Sequence, residues 1–291
     1  MNEGADVRRG LVVVTAALVA AVGCGAGGDG DEGMIIEASP VASPYSGPLH
    51  IATKQVEEDT PAAMLLASGA AGRALECDGE IAWGSGPDGW SERDGGDTPA
   101  EGLKLYFHVF EPSGPRSGFR AERKESDRVL YSYDVGGRTK VAVVVAKDQK
   151  NRPGWGPETQ ASCDPAELPV SVTDSGDQEI WTDRNGKRVA TTTLSSYAGA
   201  EHCGWQKAHF LGMGPDKDRR QYVRDPDGVL EGDLLTSPYD GDVPMPPDAH
   251  DTGYRYGDRQ LWLTDDRTTA YVRTPDGVEA WPLAKDVVAC A

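Results

Sequence analysis

Arg128-Val-Leu-Tyr-Ser-Tyr-Asp-Val135, Gly136-Gly137 and Arg138-Thr-Lys-Val-Ala-Val-Val-Val-Ala146 form the stretch on which the fold turns. Val129, Tyr131, Tyr133 and Val135 alternate along the first run, and Val141, Val143 and Val145 along the second. That is the period of strands with one face on a core. Gly136 and Gly137 supply the positive φ that a two-residue hairpin turn requires, so the two runs are expected to pair antiparallel. Phe119 to Arg123 reads as a strand before them, and a fourth strand is expected to follow Trp155 into Cys163. Upstream, Thr98-Pro-Ala-Glu101 is a capping box with proline at the first helical position. Leu103, Tyr106, Phe107 and Phe110 then recur at helical spacing, a stripe that needs a sheet to cover. An earlier helix is expected from Pro61 to Leu75 with Thr60 as its N-cap, weakened by Gly69 and Gly72. A helix packed on an antiparallel meander is an α+β arrangement.

The second half reads as mostly antiparallel β. Glu179 to Thr182 and Arg188 to Thr191 flank Asn185-Gly186, a tight-hairpin signal. Tyr222 to Arg224 precedes the turn Asp225-Pro-Asp-Gly228. Gln260 to Thr264, Thr269 to Arg273 and Val278 to Trp281 form a closing meander, and Trp205 to Leu211 is ambiguous between helix and strand. No residue-level repeat relates the halves. The expected organisation is a signal segment over 1–23, a lipidated cysteine with a flexible tether over 24–48, an α+β domain over 49–169 and a β-rich domain over 170–291.

The signal reading rests on Arg8 and Arg9, the apolar run Leu11 to Val22, and Gly23 just before Cys24. These are the charged, apolar and small-residue parts of an export signal. The run falls short of the ~17–25 residues that span a bilayer. Ala21-Val-Gly-Cys24 resembles the lipobox of bacterial lipoproteins, departing from it at Ala21, where leucine is usual. What the resemblance implies is a diacylglyceryl group and an acyl chain (palmitate or similar) on Cys24. Two such hydrophobic signals suffice for stable anchoring. Arg8-Arg-Gly-Leu-Val12 also partly resembles a twin-arginine address, so the export route stays open.

Cysteine usage fits an exported chain. Apart from Cys24, the chain has Cys77, Cys163, Cys203 and Cys290, an even set that reads as two structural disulfides. Four cysteines allow three connectivities; chain order favours Cys77 with Cys163 and Cys203 with Cys290. The chain carries 47 acidic against 29 basic residues, a formal net charge of −18. Residues 1–23 hold two of each sign (Glu3, Asp6, Arg8, Arg9), so their removal leaves that charge unchanged. Nucleic acid is a poor partner for such a surface, because phosphate binding needs a basic footprint. Contact with lipid is expected through the acyl anchor, since the folded surface repels anionic headgroups.

Cys163-Asp-Pro-Ala-Glu-Leu-Pro169, Tyr222-Val-Arg-Asp-Pro226, Asp251-Thr-Gly-Tyr-Arg255, Leu261-Trp262, Trp281-Pro282 and Cys290 resemble uncharacterised membrane lipoproteins of streptomycetes and related actinobacteria. The resemblance covers most of the chain after Cys24. It implies a location and an intact fold, and carries no activity.

Signatures of chemistry are sparse. No GxSxG elbow occurs and no serine stands three positions before a lysine. The five histidines, His50, His108, His202, His209 and His250, make no HExxH pair, and CxxC spacing is absent. Asp225, Asp227 and Glu231 fail as a calcium loop, because Val229 and Leu230 occupy the positions of a third ligand and the required glycine. Asp240, Asp242, Asp248, His250 and Asp251 lie in a proline-rich loop where oxygens could converge on a hard cation, against a solvated acidic loop as the plainer reading. Trp83 and Trp90 bracket a Gly/Pro-rich loop and are candidates for stacking on a sugar or partner, against a role in the core. No cofactor is implied. The expectation is a lipid-anchored protein on the outer face of the cell membrane with a non-catalytic binding role toward a protein or glycan. An extracytoplasmic hydrolase of wall polymer or peptide is the alternative, followed by a transporter's solute-binding lipoprotein.

Overall fold

The valine run of the opening hairpin is buried on both faces. In the computed structural model, which describes residues 33–56, 58, 60–86, 90–109, 114–174, 176, 178–215, 218–286 and 288, every side chain from Val141 to Ala146 is at most 1% exposed. These residues belong to β4 (Arg138–Gln149), the middle strand of a five-stranded antiparallel sheet. Its order is β1 (Ile81–Ser85), β5 (Arg152–Cys163), β4, β3 (Arg128–Val135), β2 (Phe119–Lys124). On one face, Leu103, Tyr106 and Phe107 of α3 (Pro99–Val109) cover Val129, Tyr131, Val141, Val143 and Val145. On the other, Ala70, Ala71 and Ala74 of α2 (Gly69–Ala74) cover Leu130, Ala142, Val144 and Ala161. The first half is therefore helix–sheet–helix, an α+β layering with one helical layer more than the α3 stripe implied. Each fully buried valine or leucine contributes about 1.5–3 kcal/mol from desolvation, so β4 supplies a large share of the driving force.

Local chemistry sets the helices as expected, with one break. Around α3, Thr98 Oγ1 accepts from Glu101 N (3.2 Å) while Glu101 Oε2 accepts from Thr98 N (2.9 Å), the reciprocal bonds of a capping box. Phe110, the last residue of the expected stripe, lies outside the described residues. The helix expected over Pro61 to Leu75 is two helices, α1 (Pro61–Ala67) and α2. Ser68 ends the first by donating both N (2.9 Å) and Oγ (2.7 Å) to the Met64 carbonyl, and Gly69 then takes φ +53. Glycine reaches that conformation without a Cβ clash, so the chain redirects there. The small residues of α2 let its backbone lie close on the sheet.

The tether expected over 24–48 is corrected from Gly33 onward. Gly33 and Met34 carbonyls accept from Gly118 N (2.7 Å) and Phe119 N (2.9 Å), and Ile36 N donates to Phe119 O (2.8 Å). Met34, Val41 and Leu49 are buried. Burial of Met34, with Ile35 partly buried against the same cluster, offsets the ordering cost that the surrounding glycine and aspartate would otherwise leave unmet, while Ile36 stays exposed. Cys24 and the signal segment lie outside the described residues.

In the second half, β6 (Gln178–Glu179), β7 (Leu194–Ala198), β8 (His209–Met213) and β9 (Arg220–Arg224) form one antiparallel sheet. β10 (His250–Tyr256), β11 (Arg259–Leu263), β12 (Thr269–Thr274) and β13 (Gly277–Pro282) form another. The closing meander is as expected. The ambiguous stretch is strand from His209, and Asn185-Gly186 turns only a single bridge, Thr182 to Arg188. The sheets meet at two seams. Tyr222 bridges to Leu283, and Thr182 and Arg255 exchange two hydrogen bonds of 2.8 Å. Trp181, Leu194, Leu211, Tyr222, Leu261, Val272 and Trp281 fill the space so enclosed. A second apolar cluster, including Phe210, Val223, Leu230 and Ala284, lies on the other face of β8 and β9.

The halves join through Asp164 and Arg188. Asp164 Oδ2 accepts from Thr191 N and Oγ1 (both 2.9 Å), and Arg188 donates to Leu168 O and Thr173 Oγ1 (both 2.7 Å). The chain from Gly33 onward forms one compact unit. Cys77 and Cys163 form a disulfide, Cα atoms 5.3 Å apart, tying the end of β5 to the chain after α2. Cys203 is also disulfide-bonded; its expected partner Cys290 lies outside the described residues. Replacing Cys77 and Cys163 together by serine is expected to lower stability by about 4 kcal/mol, because the bond closes a long loop in the unfolded chain. Urea denaturation with circular dichroism measures this, and a loss below about 1 kcal/mol would contradict it.

Candidate functional site

An open groove of about 720 Å³ lies beside the β4–β5 turn. The turn is built without glycine at its tip: Asp148 and Asn151 take φ of +53 and +60. Asp and Asn are the non-glycine residues that tolerate this region best, since their short side chains bond locally. Asp148 Oδ1 accordingly accepts from Gly154 N (2.9 Å), and Gln149 Nε2 donates to Gly156 O (3.0 Å). The tip is thus fixed, and it holds Lys147, Lys150 and Arg152 along one wall.

Trp90 is the floor. It is only 4% exposed, its Nε1 donates to Pro157 O (3.1 Å), and the Arg152 guanidinium lies 5.5 Å from its ring centroid. A cation over an indole face is attracted by the ring quadrupole, which orients Arg152 across the groove. On the opposite wall, Arg128 makes a two-pronged pair with Glu158 (Nε–Oε2 and Nη2–Oε1, both 2.9 Å) and also bonds Asp127. These hydrogen bonds with Glu158 raise the Arg128 pKa above its ordinary value. His50 Nδ1 stands 3.5 Å from Glu158 Oε1. The carboxylates are therefore largely engaged. The side chains of Lys147 and Lys150 are exposed and make no ion pair or hydrogen bond with the described residues.

The other sequence candidates fall apart spatially. Trp83 is 47% exposed on edge strand β1, opposite Ser162, and does not share the groove with Trp90. Of the acidic loop, Asp251 is tied up by both Arg255 Nη atoms (2.9 and 2.7 Å) and Gly253 N (2.8 Å). The Arg255 bonds hold its pKa down to about 2. His250 faces Asp265 at 3.6 Å, and Asp240 Oδ1 accepts from Asp242 N (3.1 Å). No three of Asp240, Asp242, Asp248, His250 and Asp251 bring ligand atoms within 4.8 Å of one another. The segment 250–256 is strand β10, so its alternate side chains are divided between two faces. Among the described residues, Cys77, Cys163 and Glu167 do converge in this way, but both sulfurs are in the disulfide.

A cluster absent from the sequence reading lies at one end of the enclosed β layer. Glu179 accepts from Ser196 Oγ and Arg259, Arg224 pairs with Glu279 (Nε–Oε2 2.9 Å), and His209 Nδ1 lies 4.0 Å from Glu179 Oε1 without a hydrogen-bond partner. These residues come from β6, β7, β8, β9, β11 and β13, and only strand pairing assembles them; alternation along His209-Phe-Leu-Gly-Met213 is the one signal that aims His209 inward. Ser196 is fully buried, with Oγ donating to Glu179 and accepting from Trp181 Nε1 (2.8 Å). It has no path to a substrate, so the cluster does not make a nucleophilic triad. Burial lowers the His209 pKa below 6.5; Arg259 and Arg224 add to this, while Glu179 and Glu279 oppose it.

Comparison with protein-family models, curated proteins and solved structures finds no match for this chain. Fold and groove together describe an α+β half and an antiparallel β half in one compact unit, with a surface cleft lined by four cations and four carboxylates. Among the described residues no helix is long and apolar enough to cross a membrane.

His209 carries a pH prediction. Its folded-state pKa lies below its unfolded value near 6.5, so the unfolded chain takes up the proton first as pH falls. The stability it contributes is complete above that value and is lost as pH drops toward the folded pKa. His209→Gln removes this dependence. The melting-temperature difference between the native chain and the variant is expected to move against the native chain as pH falls below 6.5. A constant difference across that window would contradict the assignment.

Proposed function

We infer that this chain is a lipid-anchored protein of the outer face of the cell membrane that binds an acidic protein or glycan partner through the groove, without chemistry of its own. The carrying observation is the arrangement of Arg152 over Trp90 beside Lys147 and Lys150. In a chain of net charge −18, this groove exposes Lys147 and Lys150 while three of its four carboxylates, Asp127, Asp148 and Glu158, are already hydrogen-bonded and only Glu92 has no bond to the described residues. Carboxylate or phosphate groups on a partner meet the exposed ammonium groups of Lys147 and Lys150 there, and the net negative charge of the chain disfavours them elsewhere. Ser91, the one hydroxyl lining the groove, accepts from Arg93 N (3.4 Å) and is bonded to no base among the described residues. The Cys77–Cys163 bond suits an oxidising compartment, and the resemblance of Ala21 to Cys24 to a lipobox supplies the anchor.

Two measurements test the reading. The intact mass of protein extracted from its native membrane is expected to begin at Cys24 with added lipid; a chain beginning there without lipid would overturn the anchor. For the groove, photo-crosslinking side chains placed at Lys150 and, as a control, at Asp276 in the full-length membrane protein are compared. Discrete adducts from position 150 alone, lost on Arg152→Glu, are expected. Identical adduct patterns from both positions would exclude the groove as the binding face.

A further inference from the structure

The enclosed β layer has a second end, opposite Glu179 and His209, and it is not filled. A cavity of about 390 Å³ opens there, within the ~300–1,000 Å³ range of small-molecule sites. Met213 and Leu263, the last inward residues of β8 and β11, and the ring of Tyr254 give it one apolar wall, and the rest of its lining is mainly polar. Its charged lining is Arg220, Arg267 and Asp218, a net positive rim on a chain of net charge −18.

The rim is constructed in a way that leaves one cation available. Asp266 accepts from Thr264 Oγ1 (2.7 Å), Thr268 N and Thr268 Oγ1 (both 3.1 Å), which locks the turn after β11. Within it Arg267 takes φ +52, a conformation that glycine or asparagine enters at least cost. The Arg267 carbonyl turns inward and accepts from Tyr222 Oη (3.0 Å) and Arg220 Nη1 (3.1 Å). Arg220 is thereby committed to the turn. The Arg267 side chain is exposed and makes no hydrogen bond or ion pair with the described residues. An unfavourable backbone conformation held by a pinned turn is a cost that ordinary folding does not require here, since glycine would serve.

The geometry points to this cavity as a binding site for a small amphipathic anion, its apolar body seated between Met213, Leu263 and Tyr254 and its carboxylate, sulfonate or phosphate on the Arg267 guanidinium. The site is separate from the β4–β5 groove and stands whether or not that groove binds a partner. Mouths of closed β layers are common places for such ligands, because strand ends leave the interior column of side chains open. Arginine suits the rim, as its planar fork offers paired donors to an anionic group.

The probes are anilinonaphthalene sulfonate and its uncharged analogue phenylnaphthylamine, titrated by fluorescence into the full-length protein. The sulfonate is expected to bind saturably and about tenfold more tightly than the analogue, the worth of one charged hydrogen-bonding contact. Arg267→Gly keeps the turn, since glycine fits φ +52, and is expected to erase that preference while leaving the analogue's affinity unchanged. Met213→Trp fills the cavity and is expected to abolish binding of both. Undiminished sulfonate binding in Arg267→Gly, or in Met213→Trp, would overturn the assignment.

Discussion

The first half depends on one requirement: β4 has no face that can meet water. Six consecutive side chains from Val141 to Ala146 are buried, and a pleated strand sends three to each side. A single helical layer would leave Ala142, Val144 and Ala146 exposed. The Gly/Ala-rich α1–α2 segment answers this, and its composition follows from where it sits. Gly84 on β1 stands so near Met64 O and Ser68 that a Cβ there would collide with the helical backbone at 2.8 Å. The same holds at Gly102, whose missing side chain lets α3 settle against Val145 and Trp155. Glycine in a helix costs about 1 kcal/mol relative to alanine, which close packing offsets.

The second half solves a different problem. Two four-stranded sheets cannot each bury a face alone, and they close on one another around Trp181 and Trp281, both fully buried. Their indole donors are satisfied inside, by Ser196 Oγ and by Glu279 Oε2 (each 2.8 Å). Large rings with polar edges thus couple the apolar centre to the charged end. A buried charge needs a partner or it destabilises strongly, and Arg224, Arg259, Glu179 and Glu279 supply one another's. The polar cluster is the cost of ending a closed layer without a helix to cap it.

What could be read from residues alone divides by the range of the signal. The β3–β4 hairpin, the capping box at Thr98, the closing meander and the Cys77–Cys163 pairing rest on neighbours in sequence or on chain order, and each is present. β1 was invisible because Ile81-Ala-Trp-Gly-Ser85 has no alternation; edge position and a register shift between Ile81 and Trp83 relax the pattern. The β4–β5 turn was missed because Asp148 and Asn151 do the work usually given to glycine. β10 was hidden by its acidic flank, whose carboxylates are consumed by Arg255 and local amides. Of the candidate site, the sequence offered Trp90, but not that Trp90 is a floor covered by Arg152. That relation crosses the sheet, and no local pattern encodes it.

The pairing of Gly33 to Ile36 along Phe119 also decides how the protein meets mechanical load. Any pull applied to the chain before Gly33 arrives, among the described residues, first at three backbone hydrogen bonds on the β2 edge. Behind them stand Arg120 and Asp134 (2.9 Å), an ion pair linking β2 to β3. Met34 is buried in the same cluster as Leu103, Tyr106 and Phe107 of α3, so the segment also covers part of the first-half core. Peeling the segment away would therefore break the edge pairing and uncover an apolar face of the core at the same time.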